Sequence, residues 1–294
     1  MQHWTATFGE TKKLSMRTAI FCPKHLKLLF LSLLIFFGHN AYPQNPTPSN
    51  GFAHNDYWHK RPLYDALDNG FTNIEADVYL RNNKLIVAHI FPFLKKQKTL
   101  ERLYLAPLMD CINGNNKEVK CPTYPLTLMI DIKSDGAKTY QTLQLLLEKY
   151  KSILSGYDNG IYTQRQVTVV ITGHRPYDLI KAQKSRMAFI DEDLMQVRQD
   201  TVSRNLYQTA SCKYSHLLKW DGKGNFSPFE RQRLRMYVLL AHRFGKKVRL
   251  WASPENEMVW RELLNCGVDL INTDRLVELK NFLQTGPKSY AKVD

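Results

Sequence analysis

The chain has 294 residues, 44% of them hydrophobic and 23% charged, with a formal net charge of +14. This balance excludes a disordered or collagen-like polypeptide and supplies enough apolar material for one large core. Residues 1–44 hold five Lys/Arg and one Glu, so the remainder keeps a net charge of +10. Such an excess suits an anionic partner (a phospholipid headgroup, a membrane or a nucleic acid), and its alternative use is solubilising surface charge.

In chain order, the first feature is "MRTAIFCPKHLKLLFLSLLIFFGHNAYPQ" (Met16 to Gln44). It reads as a secretory signal, with Arg17, Lys24 and Lys27 before an apolar run from Leu28 to Phe37 that is short for a bilayer span. A cut near Ala41 would leave an exported chain. An uncleaved N-terminal membrane anchor is the rival reading. Fifteen residues precede Met16, which an upstream start or a long n-region explains. Cys22 lies before the apolar run, unlike a lipoprotein cysteine. Residues 45–50, "NPTPSN", form a linker, and one domain is expected over residues 51–294.

Beyond the linker, short apolar or β-branched runs alternate with amphipathic stretches. "GFAHND" (Gly51 to Asp56), "NIEADVYL" (Asn73 to Leu80), "LTLMIDIK" (Leu126 to Lys133), "VTVVITG" (Val167 to Gly173) and "MAFIDE" (Met187 to Glu192) read as strands. So do "SHLLKW" (Ser215 to Trp220), "KVRLWAS" (Lys247 to Ser253) and "VDLINTD" (Val268 to Asp274). Several end in polar or charged residues, as strands buried in a parallel sheet do. Between them, Leu143, Leu146, Leu147, Tyr150, Ile153 and Leu154 recur at helical spacing, as do Val259, Trp260, Leu263 and Leu264. Roughly eight βα units in about 250 residues predict an α/β fold of the TIM (β/α)8-barrel type. A doubly wound open sheet is the alternative.

Four cysteines follow the signal: Cys111, Cys121, Cys212 and Cys266. Export permits disulfides, with Cys111 and Cys121 in one long loop as the first candidate pair, and free buried thiols are the alternative. There is no C-x-x-C or Cys/His zinc pattern.

A TIM barrel gathers its site at the C-terminal strand ends. His54, Asn55, Glu75, Asp77, Asp131, Lys133, His174, Arg175, Asp191, Glu192, Trp251 and Asp274 are therefore expected to converge. Glu75 and Asp77, at i and i+2, point the same way from a strand. Their repulsion invites a hard divalent cation, with Asp131 as a third ligand. Three carboxylates without cysteine favour Mg²⁺ or Ca²⁺ over zinc, and a salt-bridged rim is the plainer alternative. His89 closes a further strand-like run, "LIVAH" (Leu85 to His89), so His54 and His89 flank the carboxylate pair. Two histidines across a metal-bound phosphate suit proton transfer to and from an in-line displacement. Lys133 leans to the side of Asp131, where it can meet a phosphate oxygen or the carboxylate itself. His242 lies in a helical pattern and is read as surface or structural. Trp251 either walls the site or packs in the core. Paired carboxylates such as Asp131 and Glu192 would serve glycoside hydrolysis instead, and nucleic acid is not expected as a partner because no recognition motif accompanies the charge.

Together, "AHND" with His54, "EADV" with Glu75 and Asp77, "VAH" with His89, "DIK" with Asp131 and Lys133, "LWAS" with Trp251 and "GVDLINTD" ending in Asp274 resemble the glycerophosphodiester phosphodiesterase and phosphatidylinositol-specific phospholipase C-like superfamily. The resemblance spans almost the whole chain beyond the signal. It implies a TIM barrel and one Mg²⁺ or Ca²⁺ on Glu75, Asp77 and Asp131. It also implies acid/base histidines at His54 and His89, with Lys133 beside them and a phosphodiester or phospholipid headgroup as substrate. Asn55, Arg175, Trp251 and Asp274 are the expected substrate-binding residues, and contact with a membrane surface is the expected peripheral partnership. The opening lacks the H-R-G and P-E-N-T elements of typical glycerophosphodiesterases, and D-I-K replaces their E-x-K. In these respects the chain is similar to the sphingomyelinase D-type enzymes and to the branch containing the fungal altered-inheritance-of-mitochondria protein 6 group.

Overall fold

A computed structural model describes residues 48–92, 98–116, 121, 125–197 and 205–285. The export segment and residues 45–47 of the linker fall outside the described residues. The strands run in order β1 (Gly51–Ala53), β2 (Asn73–Arg81), β3 (Lys84–Val87), β4 (Leu126–Ile132), β5 (Gly156–Asp158) and β6 (Ile161–Thr163). They continue as β7 (Val167–Gly173), β8 (Ser185–Arg186), β9 (Ala188–Asp193), β10 (Tyr207–Lys213), β11 (Lys247–Trp251) and β12 (Leu270–Thr273). Eight of them pair in parallel in the order β1, β12, β11, β10, β9, β7, β4, β2, and β2 returns to β1. The sheet therefore closes, and the predicted TIM-type barrel is the fold rather than an open doubly wound sheet.

Side-chain alternation gives the closed sheet two faces. One set of strand residues packs outward against the helices, and the other turns into the barrel. The outer layer is the large apolar core, with Ile74, Ala76, Val78, Leu128, Ile130 and Ile132 among its fully buried members. Inside lies a small cluster of Phe52, Met129, Val170 and Leu270. Helices return the chain between strands. Gly136–Glu148 starts where Asp135 accepts from the Lys138 amide, and Glu257–Asn265 starts where Asn256 accepts from the Val259 amide. Both are side-chain N-caps. Helix Pro228–Arg243 carries His242, whose Nε2 lies 2.7 Å from Asp269 Oδ2, a structural tie to the segment before β12.

One expectation changes. The sixth strand is not "SHLLKW" but Tyr207–Lys213; Tyr214–Leu217 is a helical turn. The apolar residues Leu217, Leu218 and Trp220 belong to the outer core, whereas the true strand carries Thr209 and Ser211 inward, where both donate to buried Asp191. The strand-like run "LIVAH" falls on β3 as expected; β3 pairs antiparallel with β2, so His89 arrives on a return hairpin outside the barrel. Cys111 and Cys121 form a disulfide with Cα atoms 5.6 Å apart, whereas Cys212 and Cys266 are buried free thiols.

Candidate active site

β2 and β4 lie side by side with Asp77 opposite Asp131. Period-2 alternation turns Glu75 to the same inner side as Asp77. One oxygen from each of Glu75, Asp77 and Asp131 lies within 4.8 Å of the others. Burial pushes the Glu75 and Asp77 carboxyls above their ordinary range. For Asp77 the neighbouring Asp131 charge adds to the rise and Lys133 opposes it; for Glu75, Arg249 opposes it. This is crowded negative charge with too little compensation.

The donor set fits a divalent, oxygen-preferring cation. Glu75 Oε2 and Asp131 Oδ1 are buried with no hydrogen-bond partner among the described residues, a costly state for a carboxylate oxygen unless a cation meets it. Gly173 ends β7 with φ +70°, and a side chain there would collide with Asp131 Oδ1, so the absence of a Cβ admits the carboxylate. Lys133 Nζ spans the other oxygens, 2.6 Å from Asp131 Oδ2 and 3.2 Å from Asp77 Oδ2. Burial lowers the Lys133 ammonium, but the two carboxylates outweigh it and hold it above its ordinary value.

Both histidines reach this cluster. His54 follows β1, and its backbone amide donates to Thr273 O. Its Nδ1 lies 2.7 Å from Asp274 Oδ1 and its Nε2 lies 3.7 Å from Glu75 Oε2. Burial lowers its pKa, yet Asp274 and Glu75 together raise it above the ordinary value. Asp274 is shifted the other way: burial raises it, and the bond to His54, the His54 charge and the bond from Asn55 together lower it below the ordinary value. Asn55, at φ 48°, places Nδ2 2.9 Å from His54 Nδ1 and donates to Asp274 Oδ1 at 3.3 Å. His89 Nδ1 lies 3.1 Å from Asp77 Oδ2. Tyr57 joins the two sides, donating to Asn55 Oδ1 at 2.7 Å, with its hydroxyl 3.3 Å from His89 Nδ1.

The remaining expected residues divide. Trp251 stands exposed at the end of β11 with Lys213 Nζ 5.8 Å from its ring centroid, so it is not a core tryptophan. Arg175, after β7, donates to the Asp191 carbonyl and lies over the Tyr177 ring, away from the carboxylate cluster's own contacts. His174 is tied to Ser134 O. Glu192 is sealed in a buried pair with Lys246 Nζ at 2.5 Å, and Asp191 accepts from Thr172, Thr209 and Ser211. Neither joins Asp131 as a second catalytic carboxylate, which removes the glycosidase arrangement.

Sequence reasoning missed Arg249, Tyr57 and Glu255. Arg249 Nη1 donates to Glu75 Oε1 and Asn272 Oδ1, each at 3.2 Å. Glu255 accepts from Thr273 Oγ1 at 2.6 Å and from the Asp274 amide at 3.1 Å, which fixes Asp274 behind His54. The available signal was Arg249 itself, a charge two residues before Trp251 and on the same strand face.

The chain is similar to known proteins over most of its length. Residues 42–191 match the AIM6-like phosphodiesterase domain, a span that holds both histidines and all three carboxylates. Altered inheritance of mitochondria protein 6 of Eremothecium gossypii is 31% identical over 274 residues, covering 81% of this chain and 70% of that protein. The homolog in Arthroderma benhamiae is 29% identical over 274 residues, covering 82% and 87%. The Saccharomyces cerevisiae protein is 30% identical over 283 residues, covering 79% and 70%. With a closed parallel barrel, a carboxylate cluster between β2 and β4, and these matches over most of its length, the chain belongs to the AIM6-like phosphodiesterase domain family.

Proposed function

We propose that this protein is a metal-dependent phosphoric diester hydrolase. The observation that carries the reading is the pair of histidines on either side of Glu75, Asp77 and Asp131, each held through Nδ1 by a carboxylate, Asp274 for His54 and Asp77 for His89. A histidine anchored in this way presents Nε2 for proton transfer. Glu75, Asp77 and Asp131 would hold the Mg²⁺ or Ca²⁺, which would supply Lewis-acid neutralisation of phosphate charge. One histidine takes a proton from the attacking water as its oxygen bonds to phosphorus. The other delivers a proton to the ester oxygen as its P–O bond breaks. Lys133 offsets phosphate charge, Asn55 and Asp274 fix the His54 ring, and Trp251 borders the ester groups. The substrate is a small phosphodiester or a phospholipid headgroup, and nucleic acid is not a partner.

Export belongs to the same proposal. The Met16 to Gln44 segment supports it, and so does the Cys111–Cys121 bond, since disulfides persist in oxidising compartments.

The test is turnover of bis(p-nitrophenyl) phosphate with Mg²⁺, Ca²⁺ or EDTA by the wild type, Glu75→Ala, His54→Ala and His89→Ala. Metal-dependent release of p-nitrophenol, lost in all three variants, is expected. Inactivity on this compound and on a panel of glycerophosphodiesters and phospholipids would leave a non-catalytic phosphate-binding barrel.

A further inference from the structure

The two histidines stand in unlike surroundings. His54 is framed by polar groups: Asn55, Asp274 and, behind Asp274, Glu255 with Thr273. His89 is framed by aromatics. The Trp58 ring meets it edge-on, centroids 5.4 Å apart at 69°. Tyr79 donates to the His89 carbonyl at 3.4 Å and packs edge-on against Phe91, centroids 5.6 Å apart. The outer members of this group are open to solvent: Trp58 is 60% exposed, Ile90 76% and Phe91 45%. A single exposed apolar side chain is ordinary, but three on the two segments flanking one histidine of a reaction site make a patch with a purpose. On the same two segments the buried core members are Tyr57 and Val87.

We propose that the substrate is an asymmetric phosphodiester. An alkyl chain on the ester oxygen nearer His89 lies against Trp58, Ile90 and Phe91, and a small polar group occupies the His54 side. This rests on the phosphodiesterase reading and adds the substrate class to it. Trp58 offers a flat apolar surface at little conformational cost, and its contact with His89 places that surface beside the atom that exchanges a proton. The phosphate remains bound by the polar half of the site, so the apolar surface sets which diester is used rather than whether one is cleaved.

The experiment measures kcat/KM at saturating metal for three glycerol phosphodiesters: the methyl ester, the octyl ester as a monomer, and the hexadecyl ester in uncharged detergent micelles. Burial of apolar surface against the patch is expected to favour the octyl over the methyl ester by roughly tenfold or more. Trp58→Ala and Phe91→Ala are expected to bring that ratio close to one. Phe229→Ala, which removes an exposed aromatic from helix Pro228–Arg243, should keep the ratio. Because each ratio compares substrates within one variant, a disturbed His89 ring cancels from it. A preference already present for the monomeric octyl ester assigns the patch to a single chain. A preference seen only with the micellar ester, and lost in Trp58→Ala, assigns it to a lipid aggregate. Equal use of all three esters, or a preference that survives both substitutions, overturns the proposal. A wild type inactive on these esters and on bis(p-nitrophenyl) phosphate alike would overturn the phosphodiesterase reading instead.

Discussion

Arg249 and Glu75 meet inside the barrel, Nη1 to Oε1 at 3.2 Å, with both side chains almost wholly buried. The guanidinium lies over the Phe52 ring, its carbon 4.3 Å from the centroid, and its Nε donates to Ser211 Oγ at 3.3 Å. This fixes one carboxylate oxygen and leaves Oε2 without a hydrogen-bond partner among the described residues, 3.7 Å from His54 Nε2. The arginine thus orients a proposed metal ligand from beneath and compensates its charge at a depth where water cannot.

Arg249→Met leaves Glu75 buried without that partner. Breaking a buried pair costs about 3–5 kcal/mol, which should lower the urea midpoint of unfolding. Loss of a ligand-orienting partner typically weakens metal affinity about 10–100-fold, to be read by calorimetric titration with Mg²⁺ or Ca²⁺. Arg249→Lys should fall between the two. Unchanged metal affinity in a folded Arg249→Met protein would remove the orienting role.

Crowded carboxylates predict that a divalent ion stabilises the fold. An ion that binds only the folded chain adds about 2.7 kcal/mol when present at a hundred times its Kd. The wild type should therefore melt higher in millimolar Mg²⁺ or Ca²⁺ than in EDTA, while Glu75→Gln should melt alike in both. A wild-type melting temperature indifferent to both ions would speak against a metal on Glu75, Asp77 and Asp131.

What the sequence made legible depended on the range of the interaction. Glu75 and Asp77 were visible as a pair because the two-residue strand period is local. The barrel was visible because outward strand residues are apolar run after run. Strand β10 was hidden because its inward residues, Thr209 and Ser211, serve a buried carboxylate and give "YQTASCK" no apolar signature. Arg249 was hidden because its partner lies 174 residues away, and within "KVRLWAS" it looks like any surface arginine. Glu192 showed the converse: a strand-end carboxylate that seemed placed for the site is used up by Lys246 in the outer layer.

The cysteines should separate by chemistry. Cys111 and Cys121 close a short loop, and a disulfide over a loop of that size contributes about 3 kcal/mol. Reductant should lower the urea midpoint, and Cys111→Ser with Cys121→Ser should reproduce the lower value without further response to reductant. Burial pushes the Cys212 thiol up to about 12, so it should resist alkylation until the protein unfolds. Rapid labelling of native Cys212 would contradict its burial.

Asp56 predicts a pH dependence of stability. Its Oδ2 accepts from the Leu63 amide at 2.6 Å and from Tyr104 Oη at 2.9 Å, while Oδ1 is buried without a partner among the described residues. The bond to Leu63 holds a turn in which that residue sits at φ 67°, a strained value for a branched side chain. Burial pushes the carboxyl up to about 6, from 3.8 in the unfolded chain. The folded state therefore binds the proton more tightly. The stabilising contribution is complete below about pH 3.8 and is lost as pH rises through about 6, amounting to about 3 kcal/mol. Asp56→Asn keeps an acceptor oxygen but cannot ionise. The stability of the wild type minus that of Asp56→Asn, from urea unfolding between pH 3.5 and 7.5, should fall by that amount across the interval and stay level above it. A difference that is flat with pH, or that grows as pH rises, would show that Asp56 is not held protonated by burial.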